Sequence, residues 1–162
     1  MSKIERESMD YDVVIVGAGP AGLSAAIRLK QLNKDIDVVV LEKGSELGAH
    51  ILSGAVLDTS GLDILIPDWK TKGAPINVPV KKDNFLILGP AGSIRIPNFP
   101  MPPLMNNHGN YIVSMANVCR WMAEQAEELG AEIFPGMACS ELITGDRNEI
   151  CLLYTSPSPR DS

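Results

Sequence analysis

The stretch Val13–Gly22, VVIVGAGPAG, constrains this chain more than any other, because a run of β-branched residues stops abruptly at three glycines, Gly17, Gly19 and Gly22. Asp12 to Val16 is a short continuous apolar run, the pattern of a strand buried on both faces in a parallel sheet. Beyond the glycines the period changes to that of a helix, with Leu23, Ala26, Ile27 and Lys30 at i, i+3, i+4 and i+7. A polar break at Asn33–Asp35 precedes a second apolar run, Ile36 to Leu41. The pattern predicts a βαβ unit and hence an α/β, Rossmann-like fold built on a parallel sheet.

Each glycine has a physical task in such a unit. Gly17 permits the tight turn, Gly19 lets backbone approach a pyrophosphate, and Gly22 lets helix and strand pack closely. The phosphates would sit on the helix N-terminus, where unpaired N–H groups and the dipole favour negative charge. Glu42 follows the second strand about 20 residues beyond the last glycine, where a carboxylate accepts hydrogen bonds from a ribose 2′-OH and repels a 2′-phosphate. The expected ligand is an adenine dinucleotide without that phosphate, either FAD or NAD. Pro20 and Ala21 between the last two glycines, and the motif's place at the start of the chain, resemble FAD oxidoreductases more than NAD dehydrogenases.

The residues after Glu42, KGSELGAHILSGAVLD, are rich in small side chains that let backbone lie against a flat ligand, an ordinary flexible loop being the alternative. The candidate cofactor-binding set is therefore Gly17, Gly19, Pro20, Ala21, Gly22, Glu42, Lys43, Gly48, Ser53 and Gly54. His50 is the one side chain here able to carry a proton near neutral pH, and a structural hydrogen bond is the more ordinary use of a loop histidine.

The formal net charge of −6 and the scattered basic residues exclude a nucleic-acid surface. No apolar run approaches the roughly 18 residues of a spanning helix, so any membrane contact is expected to be peripheral. The start, MSKIERESMDYD, lacks the features of a signal peptide and is too acidic for a mitochondrial presequence. Cys119, Cys139 and Cys151 are too widely spaced for a zinc or iron–sulfur site and read as reduced, structural thiols. No metal site is expected.

From Gly61 to Pro103 the period fades and prolines accumulate, which predicts edge strand, turn and extended loop. The part FLILGPAGSIRIPNFPMPPL is apolar with Arg95 its only charge, the composition of an interaction surface or of an excursion packed on its own domain. Ser114 is placed to cap a helix whose apolar face runs through Met115, Val118, Cys119, Met122, Ala126 and Leu129 until Gly130 stops it. Ala131 to Phe134 reads as a further strand of the parallel sheet. Cys139–Thr144, a turn at Gly145-Asp146, and Glu149-Ile150 read as the start of a hairpin. The remainder, CLLYTSPSPRDS, is expected not to continue that ladder because of its prolines and serines. It resembles the in-frame translation of a transposase-type sequencing adapter. The expected organisation is an N-terminal extension over 1–10, a partial FAD-binding domain over 11–150 with an irregular apolar segment at 61–104, and a non-native tail over 151–162.

Taken together, GAGPAGLSAAIRLKQL, EKGSELGAHILSGAVLD, IPDWKTKGAPINVPV, PMPPLMNNHGNYIVS and WMAEQAEELGAEIFPG resemble the N-terminal part of the electron transfer flavoprotein–ubiquinone oxidoreductases. The glycine motif is shared widely among flavoproteins, whereas GAHILSGAVLD, DWKTKGAP and NNHGNYIV are more specific. The resemblance implies an FAD enzyme with one 4Fe-4S cluster that takes electrons from electron transfer flavoprotein and passes them to ubiquinone at a membrane surface, on the cytoplasmic side of the inner membrane in a bacterium. It also implies that the apolar excursion faces the membrane, with Phe85, Ile94, Ile96, Phe99 and Leu104 as contact residues. The cluster-binding cysteines of the family lie near its C-terminus and are absent here, and Ser114 stands where related flavoproteins often carry an arginine near the flavin. Taken alone, these 162 residues are expected to be inactive. The competing readings are an FAD oxidoreductase of geranylgeranyl-reductase or hydroxylase type, and a non-catalytic nucleotide-binding fragment.

Overall fold

A computed structural model describes residues 8–102, 105–145 and 150–157. They form two compact units, Met1–Ile51 with Cys119–Ser162, and Leu52–Val118.

The first unit is the expected βαβ crossover. Strand β1 (Val13–Val16) leads through the glycine turn into helix α1 (Pro20–Leu32), which returns to strand β2 (Val38–Leu41). β1 pairs parallel with β2, Val13 opposite Val38 through Val16 opposite Leu41. The helix begins on proline, whose missing N–H costs nothing in a first turn. It buries Leu23, Ala26, Ile27 and Lys30, the four positions that the spacing singled out. Lys30 is tolerated inside because its ammonium donates to the carbonyls of Lys34 (2.7 Å) and Ile36 (3.0 Å), tying the helix end to the loop that follows.

Helix α3 (Met115–Glu128) leads to strand β8 (Glu132–Phe134), which pairs parallel with the other edge of β2 and makes the order β1-β2-β8. The central strand β2 is buried throughout, whereas β1 leaves Val14 and Val16 about half exposed (43% and 57%). The expectation of a first strand buried on both faces is thus corrected. Among the described residues β1 stands at the edge of the sheet, and only alternate side chains reach the core. α3 buries Val118, Cys119, Met122 and Ala126 as expected, and also Trp121 and Ala123, so its covered face is wider than a single stripe.

Strand β9 (Met137–Thr144) runs antiparallel to strand β10 (Ile150–Pro157). The expectation that the terminal residues could not extend the ladder is overturned. Leu152 pairs with Ile143 and Leu153 with Leu142, and Pro157 falls on the last rung, so proline touches only the strand's end. The turn residue Asp146, and Glu149, lie outside the described residues.

The second unit carries more regular structure than its prolines suggest. Helix α2 (Ser60–Leu65) sets Leu62 and the following Ile66 four residues apart in the core, ahead of Pro67, where a proline cannot disturb them. A three-stranded antiparallel sheet has strand β7 (Tyr111–Ser114) between strands β3 (Ser53–Leu57) and β4 (Val78–Pro79). Trp69 is buried beside this sheet. Its indole N–H donates to Asp63 Oδ1 at 2.7 Å, and its ring meets Tyr111 edge-on at 5.9 Å.

Strands β5 (Phe85–Gly89) and β6 (Gly92–Ile96) form a two-stranded hairpin closed by Pro90 and Ala91. The edge strand and turn expected in this stretch are present, and the part read as irregular is an ordered ladder in which proline is confined to the turn and the β-branched residues to the rungs. Phe99 lies beyond it and is 89% exposed, and Leu104 lies outside the described residues. No helix among the described residues is long and apolar enough to cross a membrane.

Candidate functional site

Parallel strands carry their carboxyl ends to one edge of the sheet, and in this architecture ligands occupy the crevice beyond that edge. Gly17 N donates to Leu41 O at 2.7 Å and Glu42 N to Phe134 O at 3.0 Å, so the chain segments leaving β1, β2 and β8 are laced together there.

Gly17 has φ +101°, a region that a side chain makes costly. Gly22 faces the opposite constraint, since a Cβ on it would collide with the carbonyl oxygen of Gly17 and would crowd Ile15. A Cβ on Gly19 would meet nothing within 4 Å, which leaves the backbone open to an outside group. Gly19 also caps α1 without any side-chain hydrogen bond. The Ala21 and Gly22 amides, in the first helical turn, have no intrahelical acceptor, while Pro20 has no N–H to satisfy. The turn is tight where it must pack and bare where it faces outward.

Glu42 follows β2 directly and is half-buried. Its Oε2 accepts from Ala18 N at 2.9 Å and its Oε1 from Gly44 N at 2.8 Å, so one carboxylate bridges the glycine turn and the loop after β2. Each oxygen has a second lone pair, leaving acceptor capacity for hydroxyl groups. Gly44 is held tightly: a Cβ there would stand 3.1 Å from Glu46 O and 3.3 Å from Glu42 Oε1. The loop after β8 joins this edge through Gly136 N, which donates to Gly44 O at 2.7 Å, and Met137 N, which donates to Glu42 O at 2.8 Å.

Gly17, Gly19, Pro20, Ala21, Gly22 and Glu42 are therefore brought together at one edge of the sheet. Lys43 is exposed on the loop beside them, and Gly48 is a buried turn glycine with φ +80°. Ser53 and Gly54 belong to β3 of the second unit, where Gly54 (φ +77°) occupies a bulge between Ser53 and Ala55. This part of the loop is thus a strand. His50 is exposed.

Sequence reasoning missed Ala18 and took Gly44 only as one of the loop's small residues; what both contribute is a backbone N–H to Glu42, which leaves no trace in side-chain chemistry. Cys119 is fully buried, and burial, with the negative charge of Glu42 as a lesser cause, pushes its thiol up to about 11. It is a structural thiol at neutral pH. Among the described residues no group of three His, Cys, Asp or Glu side chains could hold a metal ion.

The NAD(P)-binding Rossmann-like domain family matches residues 15–68. Over 152 residues, 91% of this chain, it is 55% identical to an electron transfer flavoprotein-ubiquinone oxidoreductase of Pseudomonas aeruginosa, of which it covers 28%. It is 56% identical over 144 residues, 86% of the chain, to the mitochondrial protein of that name from Rattus norvegicus, covering 23% of it. The chain thus spans about a quarter of the length of these curated relatives. Among solved structures, a geranylgeranyl bacteriochlorophyll reductase-like protein from Thermoplasma acidophilum aligns with TM-score 0.61 at 24% identity, over 84% of this chain and 32% of that one. Aklavinone-11 hydroxylase, solved with FAD and aklavinone, aligns with TM-score 0.60 at 18% identity, over 93% of this chain and 30% of that one. The α/β, Rossmann-like dinucleotide-binding fold expected from the glycine motif is the fold of this chain, and its homologues are the oxidoreductases that the longer motifs resembled.

Proposed function

We propose that this chain is the ADP-binding part of an FAD-dependent oxidoreductase that receives electrons from electron transfer flavoprotein and delivers them to ubiquinone. The observation that carries the reading is the 55% identity to one such oxidoreductase over 91% of the chain, which includes the glycine turn and Glu42. The residues present fit an adenine dinucleotide. The open backbone at Gly19 and the first-turn amides of α1 take the pyrophosphate, and Glu42 takes ribose hydroxyls. FAD, when bound, supplies the ring that accepts and donates electrons. The chain's own residues bind and orient it, with Lys43, Gly48, Ser53 and Gly54 completing the proposed contact set.

The protein is proposed to act as a peripheral membrane protein, on the cytoplasmic side of the inner membrane in a bacterium, with the β5–β6 hairpin and Phe99 toward the lipid. Exposure of Leu88 (77%), Ile94 (72%) and Phe99 supports that side. A 4Fe-4S cluster belongs to the same proposal for the longer protein and to none of these residues. The 162-residue chain by itself is proposed to be inactive, and residues 151–162 to be non-native; genomic reads running across Ile150 test the latter.

The functional test is anaerobic stopped-flow absorbance on the full-length, flavin-containing protein. Reduced electron transfer flavoprotein should bleach the flavin, and ubiquinone should restore its colour. Bleaching by NADH or NADPH but not by electron transfer flavoprotein would replace this reading with a hydroxylase-type enzyme.

A further inference from the structure

We propose, resting on the FAD reading above, that the imidazole of His50 is a second polar group for the adenosine ribose and takes one of its hydroxyls while Glu42 takes the neighbouring one. A Cβ placed on Gly44 would stand 3.2 Å from His50 Nδ1, 3.3 Å from Glu42 Oε1 and 3.1 Å from Glu46 O. The imidazole therefore lies back over the glycine that follows the ribose acid. His50 Nδ1 and Glu42 Oε1 are no farther apart than about twice the length of a hydrogen bond. Both residues belong to the first unit.

Local backbone structure holds the imidazole in this place. Ala49 N donates to Glu46 O at 3.2 Å and Ile51 N to Gly48 O at 3.1 Å, two successive turns that wind the loop back on itself. Gly48, at φ +80°, permits the reversal. Gly44 is fixed through both of its peptide groups, its N–H donating to Glu42 Oε1 at 2.8 Å and its carbonyl accepting from Gly136 N at 2.7 Å. It is not held at a positive φ, so space and not backbone freedom calls for glycine here. A side chain would push the imidazole or the carboxylate aside.

The chemistry of the pair matches a diol. Glu42 only accepts hydrogen bonds, and each of its oxygens already takes one from an amide, Ala18 N or Gly44 N. Two neighbouring hydroxyls donating to that carboxylate would crowd it. An imidazole adds a ring N–H, which a hydroxyl oxygen can accept. His50 is exposed although Gly44 beneath it is buried, and among the described residues its ring nitrogens have no hydrogen-bond partner, so they are open to a ligand. With hydrogen bonds of about 2.8 Å at each end, the two hydroxyls of one ribose span the distance from Glu42 to His50. Either protonation state of the ring keeps an N–H to donate, so the contact does not depend on titration of His50.

The test uses the full-length protein stripped of flavin and titrated calorimetrically with ADP and with 2′,3′-dideoxy-ADP. Relative to the parent, His50→Ala should bind ADP about fivefold more weakly, the size of one ordinary hydrogen bond, and should bind the dideoxy nucleotide equally well. His50→Gln retains a side-chain donor and should recover part of the loss. Unchanged ADP affinity in His50→Ala overturns the contact and leaves the FAD reading standing, as does an equal loss for both nucleotides. A parent that binds neither nucleotide overturns the FAD reading and the role of His50 together. An unchanged Tm of the ligand-free His50→Ala variant shows that the loss is one of binding and not of folding.

Discussion

The backbone N–H of Ala18 donates a 2.9 Å hydrogen bond to Glu42 Oε2, so the turn after the first strand is held by the acid after the second. Charge-assisted bonds of this kind are among the stronger ones, and removing one partner leaves the other unsatisfied. Glu42→Ala should therefore act twice, loosening the turn and deleting the acceptor for ribose hydroxyls. Flavin affinity should fall by about 1–3 kcal/mol, measured by titration of the apoprotein. Glu42→Gln should also weaken binding, because its amide NH₂ would face the N–H of Ala18 or Gly44. Unchanged flavin content in both variants removes Glu42 from the site.

Gly19 and Gly22 should fail differently. Gly22→Ala drives a methyl into the Gly17 carbonyl and should destabilise the fold by about 3 kcal/mol, seen as a lower Tm and poor soluble yield. Gly19→Ala meets no protein atom and has an ordinary backbone conformation (φ −78°), so the apoprotein's Tm should stay near the parent's while flavin is lost. Equal flavin retention by Gly19→Ala and parent would falsify the assignment of that space to a phosphate.

Cys119 gives a pH signature. Its thiol stands at 9.0 when unperturbed and about 11 in the fold, so the folded state holds the proton more firmly. The stabilisation this brings, on the order of 2 kcal/mol, is complete below pH 9 and is lost as pH rises toward 11. Cys119→Ala should flatten the stability profile over that window in chemical denaturation. Native Cys119 should also resist thiol reagents at pH 8, and rapid labelling in the folded protein would contradict its burial.

In the second unit, Asp63 holds the Trp69 indole at 2.7 Å, and Trp69 in turn packs edge-on against Tyr111 of β7. Asp63→Ala leaves a buried N–H without its acceptor and should cost about 1–3 kcal/mol, with a loss of near-UV circular dichroism. A stability within 0.5 kcal/mol of the parent would mean that water replaces the carboxylate.

How far a sequence can be read depends on whether each element's pattern is local. The βαβ unit was evident because Leu23, Ala26, Ile27 and Lys30 keep a helical period and the glycines leave little conformational choice. Exposure of Val14 and Val16 was not evident, since a strand's place in a sheet depends on which strands flank it and not on its own residues. Prolines were given too much reach around them. They bar particular positions, and the rungs Phe85–Gly89 and Gly92–Ile96 lie between those positions. The same error hid β10, whose Leu152 and Leu153 pair freely while Pro157 waits at the end. At the site, the residues chosen for side chain or glycine character converge, but Ala18 and Gly44 act through amides that any residue type supplies, and only the fold reveals them.

The most direct measurement is the identity of the nucleotide that the full-length protein carries. The protein is purified without added cofactor and denatured, and the released small molecule is separated by chromatography and quantified against protein. One FAD per chain is the expected result, together with a colourless protein when Glu42→Ala and Gly19→Ala are combined. Recovery of NADP, of FMN, or of no nucleotide from a folded parent would contradict the assignment of the Gly17–Gly22 turn and Glu42 to the ADP half of FAD.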